Sequence, residues 1–295
     1  MFRVRRLLAP FVLCIMLLFS EAQAFTIAWL SDTQNYHNAY KPIFDGMTQW
    51  IADNRAALDI RFVFHTGDVV GSWSSEDQWR QARESMGILS SASIPFLTVC
   101  GNHDIGYRMN YANFLKYVLS LRPASMSQEY GDTGSRYELF SANGRDYIFM
   151  GIAFSNKGPS EDEVNWINGV LRQYSSRDAI IITHSYLKKS AAYTTQGKAI
   201  FEKIVKANPN VFLVLCGHCR DISYKNVQFD DDGDGDPDRT VYAILSNFQG
   251  SKAGGGGYMR ILDFRDSDIY IYTYSPYYDS CEYPKGKTEA TVPLP

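Results

Sequence analysis

Five apolar runs in this chain end in polar clusters. "TIAWL" runs into Ser31, Asp32, Thr33 and Gln34, "RFVFHT" into Gly67 and Asp68, and "PFLTVC" into Gly101, Asn102, His103 and Asp104. "AIIIT" ends at His184, and "VFLVLC" at Gly217 and His218. Each run reads as a buried strand, which has no use for the polar groups that follow it. Segments of helical period lie between the runs. In "FDGMTQWIADNRAAL" Phe44, Met47 and Ile51 share one face; in "SSEDQWRQARESMGIL" Ser75 with Gln78 three residues on forms a capping-box pattern. Strands alternating with helices predict an α/β core of neighbouring strands with right-handed crossovers. Ligands of open α/β sheets bind beyond the carboxyl ends of the strands, so the five clusters are expected to meet at one place.

The rest of the chain changes character. "SRYELFSANGRDYIFMGIAF" predicts a hairpin turning at Asn143-Gly144. "SEDEVNWINGVLRQY" predicts a helix capped by Ser160 and Glu163, and "GKAIFEKIVKAN" another helix. The tail, "TVYAILSNFQ", "GYMRILDF" and "DIYIYTYSP", is strand-like without helices. No repeat and no linker divides the chain, so one domain is expected over residues 25–295. With 295 residues, 45% of them hydrophobic and 21% charged, a large core is feasible and a disordered chain is not expected.

Residues 1–24 read as a signal peptide. Arg3, Arg5 and Arg6 precede an apolar run from Leu7 to Phe19, and Ala22-Gln23-Ala24 gives an A-x-A cleavage site. That run is shorter than the roughly 20 residues a spanning helix needs. An exported protein, periplasmic or secreted, is expected, with no membrane span after cleavage. Removing the leader takes three Arg and one Glu and moves the formal charge from −3 to −5. Such a chain has no strong field for collecting nucleic acid. Four cysteines remain. They allow three full pairings and the sequence does not choose among them; Cys100 and Cys216 end apolar runs and read as buried thiols, which leaves Cys219 with Cys281 as the pairing to test in an oxidising compartment.

Two carboxylates, an amide and two imidazoles converging at strand ends form a metal site. Asp and His suit borderline and hard divalent ions, and Asn adds a carbonyl oxygen. Glycine beside the ligands lets the backbone turn sharply and leaves room for an ion. At these residues the sequence resembles the calcineurin-like metallophosphoesterases, whose order is D-x-H, G-D, G-N-H-[DE], H and G-H-x-H. Here the order is "SDTQ", "TGDVV", "GNHD", "THS" and "GHCR". The resemblance runs from about Thr26 to His218. With "LSNFQ…GGGGYMRILDF…YTYSP" it extends to about Pro276 and looks like an exported D-T-Q branch.

The resemblance implies a four-layer α/β-β/α sandwich and two divalent ions of the Mn, Fe or Zn kind. It implies that Asp68 bridges them, that Asn102, His184 and His218 complete one site, and that Asp32 holds the other. It places His103 beside the phosphate as leaving-group acid or charge stabiliser, with Asp104 fixing its tautomer. Two departures bear on this. Gln34 stands where a metal His is usual and offers only a neutral oxygen. Arg220 stands where the second His of G-H-x-H would be and cannot ligate; a contact to phosphate and a plain ion pair both fit it. Asn247 and Gln249, after another apolar run, are candidates to fill the gap. His65 is expected to be structural, and His37 to lie near substrate.

Two further features stand outside these motifs. "DDDGDGDPD" sets Asp230, Asp232 and Asp234 ahead of Gly235, as an EF-hand loop begins, but position twelve is Val241 rather than Glu. A calcium loop and an acidic hairpin turn both fit it. Gly254 to Gly257 read as a flexible loop, a candidate lid. The expected function is hydrolysis of a phosphomonoester or phosphodiester, small or carbohydrate-linked, by a metal-activated water. The alternative is a metal-weakened relative that binds a phosphorylated ligand or a surface partner.

Overall fold

The computed structural model of the chain describes residues 24–107, 109–121, 128–284 and 288–295. The expected leader lies outside the described residues up to position 23. Strand β1 (Phe25–Leu30), helix α1 (Lys41–Asp53), β2 (Ile60–His65), α2 (Glu76–Ser91) and β3 (Phe96–Thr98) follow one another as the alternation predicts. Two short helices come next, α3 (Asn102–Ile105) and α4 (Ala112–Tyr117). Then β4 (Gln128–Tyr130), β5 (Ser135–Ala142) and β6 (Arg145–Ile152) precede α5 (Glu161–Gln173), β7 (Asp178–Thr183) and α6 (Thr195–Ile200). The chain closes with β8 (Val211–Cys216), β9 (Asp221–Phe229), β10 (Arg239–Asn247), β11 (Met259–Phe264), β12 (Asp268–Tyr274) and β13 (Ala290–Pro293).

Two mixed sheets result. One runs β13-β12-β11-β1-β2-β3 and the other β4-β5-β6-β7-β8-β10-β9. Side-chain alternation explains how they stack. Phe25, Ile27 and Trp29 of β1 face Phe149, Ile180, Ile182 and Leu215 of the other sheet in one apolar layer. The opposite faces meet helices: Ala28 and Leu30 pack with Phe44, Met47, Trp79 and Met86 of α1 and α2. Ile148, Ile181 and Val214 pack with Val164, Ile167 and Ile200 of α5 and α6. Helices, sheet, sheet, helices is the four-layer α/β sandwich. Strands covered on both faces read as unbroken apolar runs, which is why they stand out in the sequence.

The parallel strands set the site. β1, β2 and β3 run parallel in the first sheet, and β6, β7, β8 and β10 in the second. Their carboxyl ends therefore lie on one edge of the sandwich, with β10 as an added strand end.

Caps and turns follow local chemistry. Ser75 Oγ accepts from Gln78 N and Ser160 Oγ from Glu163 N. The boxes do not close. Gln78 Oε1 takes the Gly71 and Ser72 N–H groups instead, and Glu163 pairs with Ser135. The hairpin turns at Asn143 and Gly144, with φ of 53° and 73°, the left-handed values a type I′ turn demands.

Three expectations are corrected. Cys219 and Cys281 are free, as are Cys100 and Cys216. Cys219 follows β8 of one sheet and packs against its helix-side core, whereas Cys281 is exposed beyond β12 of the other. Gly254 to Gly257 are no lid: Gly257 N donates to Tyr36 Oη at 2.8 Å and Ser275 Oγ to Gly256 O at 2.6 Å. The acidic segment is the β9–β10 hairpin turn, in which Asp230, Asp232 and Asp238 approach one another, not Asp234. Asp234 Oδ1 caps Asp236 N, and Asp230 accepts from Gly233 and Gly235 N. No described helix is long and apolar enough to cross a membrane.

Candidate metal centre

His184 follows β7, fully buried, and its two ring nitrogens have different surroundings. Nδ1 lies 2.8 Å from the Thr66 carbonyl, which can only accept, so Nδ1 carries the proton. Nε2 then holds a lone pair. It faces Asp68 Oδ2 at 3.4 Å, Asn102 Oδ1 at 3.1 Å and His218 Nδ1 at 3.1 Å. Four atoms that can each offer a lone pair, from three strand ends and the α3 N-terminus, thus share one space. Such a set is held together by a cation.

The electrostatics agree. Burial alone would lower the His184 pKa, but the Asp68 and Asp32 carboxylates overcome it and hold it up at about 9. In the metal-free chain a proton therefore sits where an ion fits. His218 is lowered to about 4 by burial and by His184. Burial would raise Asp68, yet His184 beside it holds its pKa below the usual carboxylate value. The residues present fit a divalent cation held by Asp68, Asn102, His184 and His218.

Asp32 stands next to this set. Its carboxylate takes the His218 N–H at 3.1 and 3.2 Å and the Ser31 hydroxyl. Burial pushes it up to about 7, against the pull of His184. Gln34 Nε2 donates to Asp68 Oδ2 at 3.2 Å and to Gln249 Oε1 at 2.7 Å. Asn247 Nδ2 donates to the His218 carbonyl at 3.0 Å. The β10 end thus reaches the site indirectly, Gln249 through the Gln34 side chain and Asn247 through the His218 backbone, and neither takes the place of the missing imidazoles.

The glycines keep the ligands close. A Cβ on Gly217 would overlap Asp32 Oδ2 and lie 2.7 Å from Ser31 Oγ; one on Gly67 would lie 2.7 Å from Gly101 N. Asp32, Asp68 and His218 have φ of 52°, 55° and 70°, strained values for residues with a Cβ.

His103 and Asp104 part company. His103 N donates to Asp68 Oδ1 at 2.9 Å, and its Nδ1 lies 2.9 Å from the Gly71 carbonyl. Gly71, not Asp104, fixes the tautomer, and the ring is exposed. Asp104 is fully buried and accepts from Val69, Val70 and Gly101 N at 2.8, 3.0 and 2.8 Å. Burial and the Asp68 charge push its pKa up, while the Gly101 and Val70 N–H groups oppose them. Adjacent positions of a helix do not face each other, so Asp104 locks the loops and His103 turns outward.

The remaining candidates are peripheral. Arg220 is exposed, its stem near Gly250. His37 is half-buried near Gly71 and pairs with Asn38. His65 is structural, as expected: Nδ1 accepts from Gly67 N at 3.1 Å and Nε2 meets Thr33 Oγ1 at 3.0 Å. Sequence reasoning missed Phe154, whose ring lies 5.6 Å from His184 and 6.0 Å from His218 and walls the centre. Its signal was the Phe ending "GIAF" after β6.

A family model described as calcineurin-like phosphoesterase matches residues 25–219. The chain is 40% identical over 259 residues to the uncharacterized protein YvnB of Bacillus subtilis (strain 168), over 86% of this chain and 20% of that protein. It therefore spans about a fifth of that relative's length. Among solved structures, a dimetal phosphatase from Danio rerio is similar with a TM-score of 0.62 and 14% identity, over 91% of this chain and 98% of that one. GAP50, the anchor in the inner membrane complex of Plasmodium, gives 0.59 and 14%, over 92% and 89%. At such identity these likenesses show the fold.

Proposed function

The chain belongs to the calcineurin-like phosphoesterase family, and from that premise we propose that it is a metal-dependent phosphoric ester hydrolase. The observation that carries the proposal is the meeting of Asp68 Oδ2, Asn102 Oδ1 and His218 Nδ1 on the lone pair of His184 Nε2. Bound divalent ions polarise a phosphoryl group and lower the pKa of water to give a nucleophile at neutral pH.

The chain's own groups do the rest. Asp68, Asn102, His184 and His218 would hold one ion, and Asp32 and Gln34 are the side chains that would serve a second. Asn102 turns Oδ1 to the cluster, which leaves Nδ2 to donate to a phosphate oxygen. With Nδ1–H held on Gly71 O, His103 would give a proton to the leaving oxygen from Nε2 when the ring is the imidazolium. The water oxygen would bond to phosphorus and release a proton to solvent, the ester P–O bond would break, the leaving alkoxide would take the Nε2 proton, and the neutral imidazole would regain one from solvent. Arg220, exposed beside Gly250, supplies a cation for a second phosphate oxygen. The substrate in this reading is a small or carbohydrate-linked phosphomonoester or diester, and the leader-like composition of residues 1–24 supports an exported enzyme.

The test is hydrolysis of a chromogenic phosphomonoester and the matching diester by metal-stripped protein refilled with Mn, Fe or Zn. Turnover is expected only with metal. Asp68→Ala is expected to lower it by more than the roughly 10–100-fold of an outer-shell change.

A second reading rests on Gln34 and Arg220, which leave the Asp32 side without imidazole. It is a protein that binds a phosphorylated ligand or partner without turnover, a use of this fold that GAP50, an anchor, makes conceivable. Folded, metal-loaded protein that turns over neither ester would favour it.

A further inference from the structure

Two tyrosines that follow β12 lie on no strand. Tyr277 and Tyr278 sit in the turn closed by Ser275 and Ser280, which exchange N–H···O bonds at 2.9 and 3.2 Å. Tyr278 N donates to Ser275 Oγ at 3.1 Å, and Ser275 Oγ donates to Gly256 O at 2.6 Å. The turn is thus pinned to the glycine segment of the β10–β11 connection. A Cβ on Gly256 would lie 2.8 Å from the Tyr278 ring, and one on Gly257 would lie 2.9 Å from Tyr277 Cβ, so only glycine lets the two tyrosines rest there. The same segment touches the loop that follows Asp32 and Gln34. A Cβ on Gly254 would lie 3.1 Å from Asn35 Cβ, and Gly257 N donates to Tyr36 Oη at 2.8 Å. At its other end the connection begins at Gln249, bonded to Gln34.

Buried rings underlie the pair. Phe248 meets Tyr283, and Tyr258 meets Tyr283, both at 5.1 Å and edge to face. Tyr258 meets Tyr278 at 5.7 Å, and Tyr278 meets Tyr277 at 4.9 Å. Yet Tyr277 and Tyr278 stay 54% and 44% exposed. A ring foundation and a hydrogen-bonded turn hold two open rings in place, so little freedom is lost when a ligand covers them. Size and charge narrow what that ligand is. Two aromatic side chains offer at most about 300–500 Å², short of the roughly 800 Å² each partner brings to a stable protein interface. Asp279 and Glu282 stand close in the sequence, and the chain carries a formal charge of −3, which disfavours a nucleic acid. The C–H face of a sugar ring fits instead: it is apolar and weakly positive, and it matches the negative face of a tyrosine ring.

We propose that Tyr277 and Tyr278 form a saccharide-stacking shelf beside the metal centre, and that the phosphate ester this chain takes is carried on a glycan. The substrate part of this rests on the phosphoesterase reading above; the shelf itself does not. The shelf reaches the centre through the packing of the glycine segment on Asn35 and Tyr36, next in the chain to Gln34. It stands beside the ligands and not among them, so it takes the sugar rings next to the reacting phosphate. Longer glycans therefore gain more from it than a single sugar does.

The experiment has a binding arm and a turnover arm, both on the full chain. In the first, saturation-transfer NMR follows the neutral trisaccharides maltotriose and N,N′,N″-triacetylchitotriose, which need no metal. At least one is expected to bind. Tyr277→Ala combined with Tyr278→Ala should weaken it by about tenfold, the loss of two ring contacts, and Tyr278→Phe should keep it. In the second, metal-loaded protein releases phosphate from maltose 1-phosphate and from methyl phosphate. KM is expected to be lower for the sugar ester, and the double variant should raise that KM by about tenfold with kcat little altered. Neither trisaccharide bound, binding equal in the double variant, or the same KM for both esters would each overturn the proposal. Trisaccharide binding that depends on both tyrosines, in metal-loaded protein that turns over neither ester, would leave the shelf standing and sink the phosphoesterase reading.

Discussion

His65 shows how a histidine beside a metal motif is settled by its partners. Its Nδ1 accepts from Gly67 N and its Nε2 meets Thr33, so it joins two motif loops in the neutral form. Burial, then His184, lower its pKa from 6.5 to about 3. The unfolded chain takes up this proton near pH 6.5, and the folded chain does so only near 3. Between those values the unfolded state binds more protons, so stability falls as pH falls. From pH 6.5 to 5 the loss is about 1.5–2 kcal/mol. His218, lowered to about 4 in the metal-free chain, adds to the same window. Asp32 and Asp104, raised by burial to about 7 and about 8, act with the opposite sign in this window, so the test is a difference between proteins: from pH 6.5 to 5 the urea midpoint of metal-free His65→Gln should fall less, or rise more, than that of the unaltered chain. Equal slopes in both proteins would mean that His65 is not the buried neutral group described here. Residue identity made the acids and imidazoles of the centre legible in the sequence, because few other roles need them after apolar runs. The carbonyls of Thr66 and Gly71 that fix two tautomers were not legible, since a backbone oxygen has no residue code. Asp104 was misassigned for the same reason: its partners are three backbone N–H groups.

At the scale of elements, what could be read was what both faces of a strand bury. β1, β2, β7 and β8 are covered on both sides and were visible as apolar runs. β9 was not. From Tyr224 on its residues alternate between exposed and half-buried, with Lys225, Asn226 and Gln228 among them, and nine register pairs with β10 hold it. Helix α3 is a single turn inside the G-N-H-D cluster, too short to show a helical period. The strand-to-ligand turns carry the next prediction. Gly217 joins β8 to His218, and its φ is unremarkable; what matters is the space that a side chain would take. A Cβ there would overlap Asp32 Oδ2, lie 2.7 Å from Ser31 Oγ and lie 3.1 Å from Thr66 Oγ1. Gly217→Ala should destabilise the chain by about 1–3 kcal/mol, as overpacking does. It should also weaken metal binding more than a stability loss alone explains, because Asp32 and His218 must both move. Metal affinity unchanged in folded Gly217→Ala, measured by calorimetric titration, would show that the turn has slack.

At the scale of the whole molecule, the centre lies across the seam between the two sheets. Asp32, Asp68 and Asn102 follow β1, β2 and β3 of one sheet, and His184 and His218 follow β7 and β8 of the other. Along the rest of the seam the sheets meet through apolar contacts such as Phe62 with Phe149 at 5.0 Å and Phe64 with Phe149 at 4.8 Å. The mouth of the seam carries buried carboxylates instead, which repel each other without a cation. An ion there replaces repulsion by bonds to both sheets, and it binds the folded chain far better than the unfolded one. At a free concentration of about 1,000 times its dissociation constant it would add about 4 kcal/mol to stability. Zn²⁺ added to stripped protein should therefore raise the denaturation midpoint, and chelation should reverse the rise. Asp68→Asn keeps the shape but removes the shared charge, so its midpoint should respond much less. His184→Asn removes the only ligand whose lone pair faces the other three, and should abolish the response. Equal midpoints with and without Zn²⁺ in the unaltered chain would mean that the sheets close without an ion and that the convergence at His184 is a hydrogen-bonded cluster only.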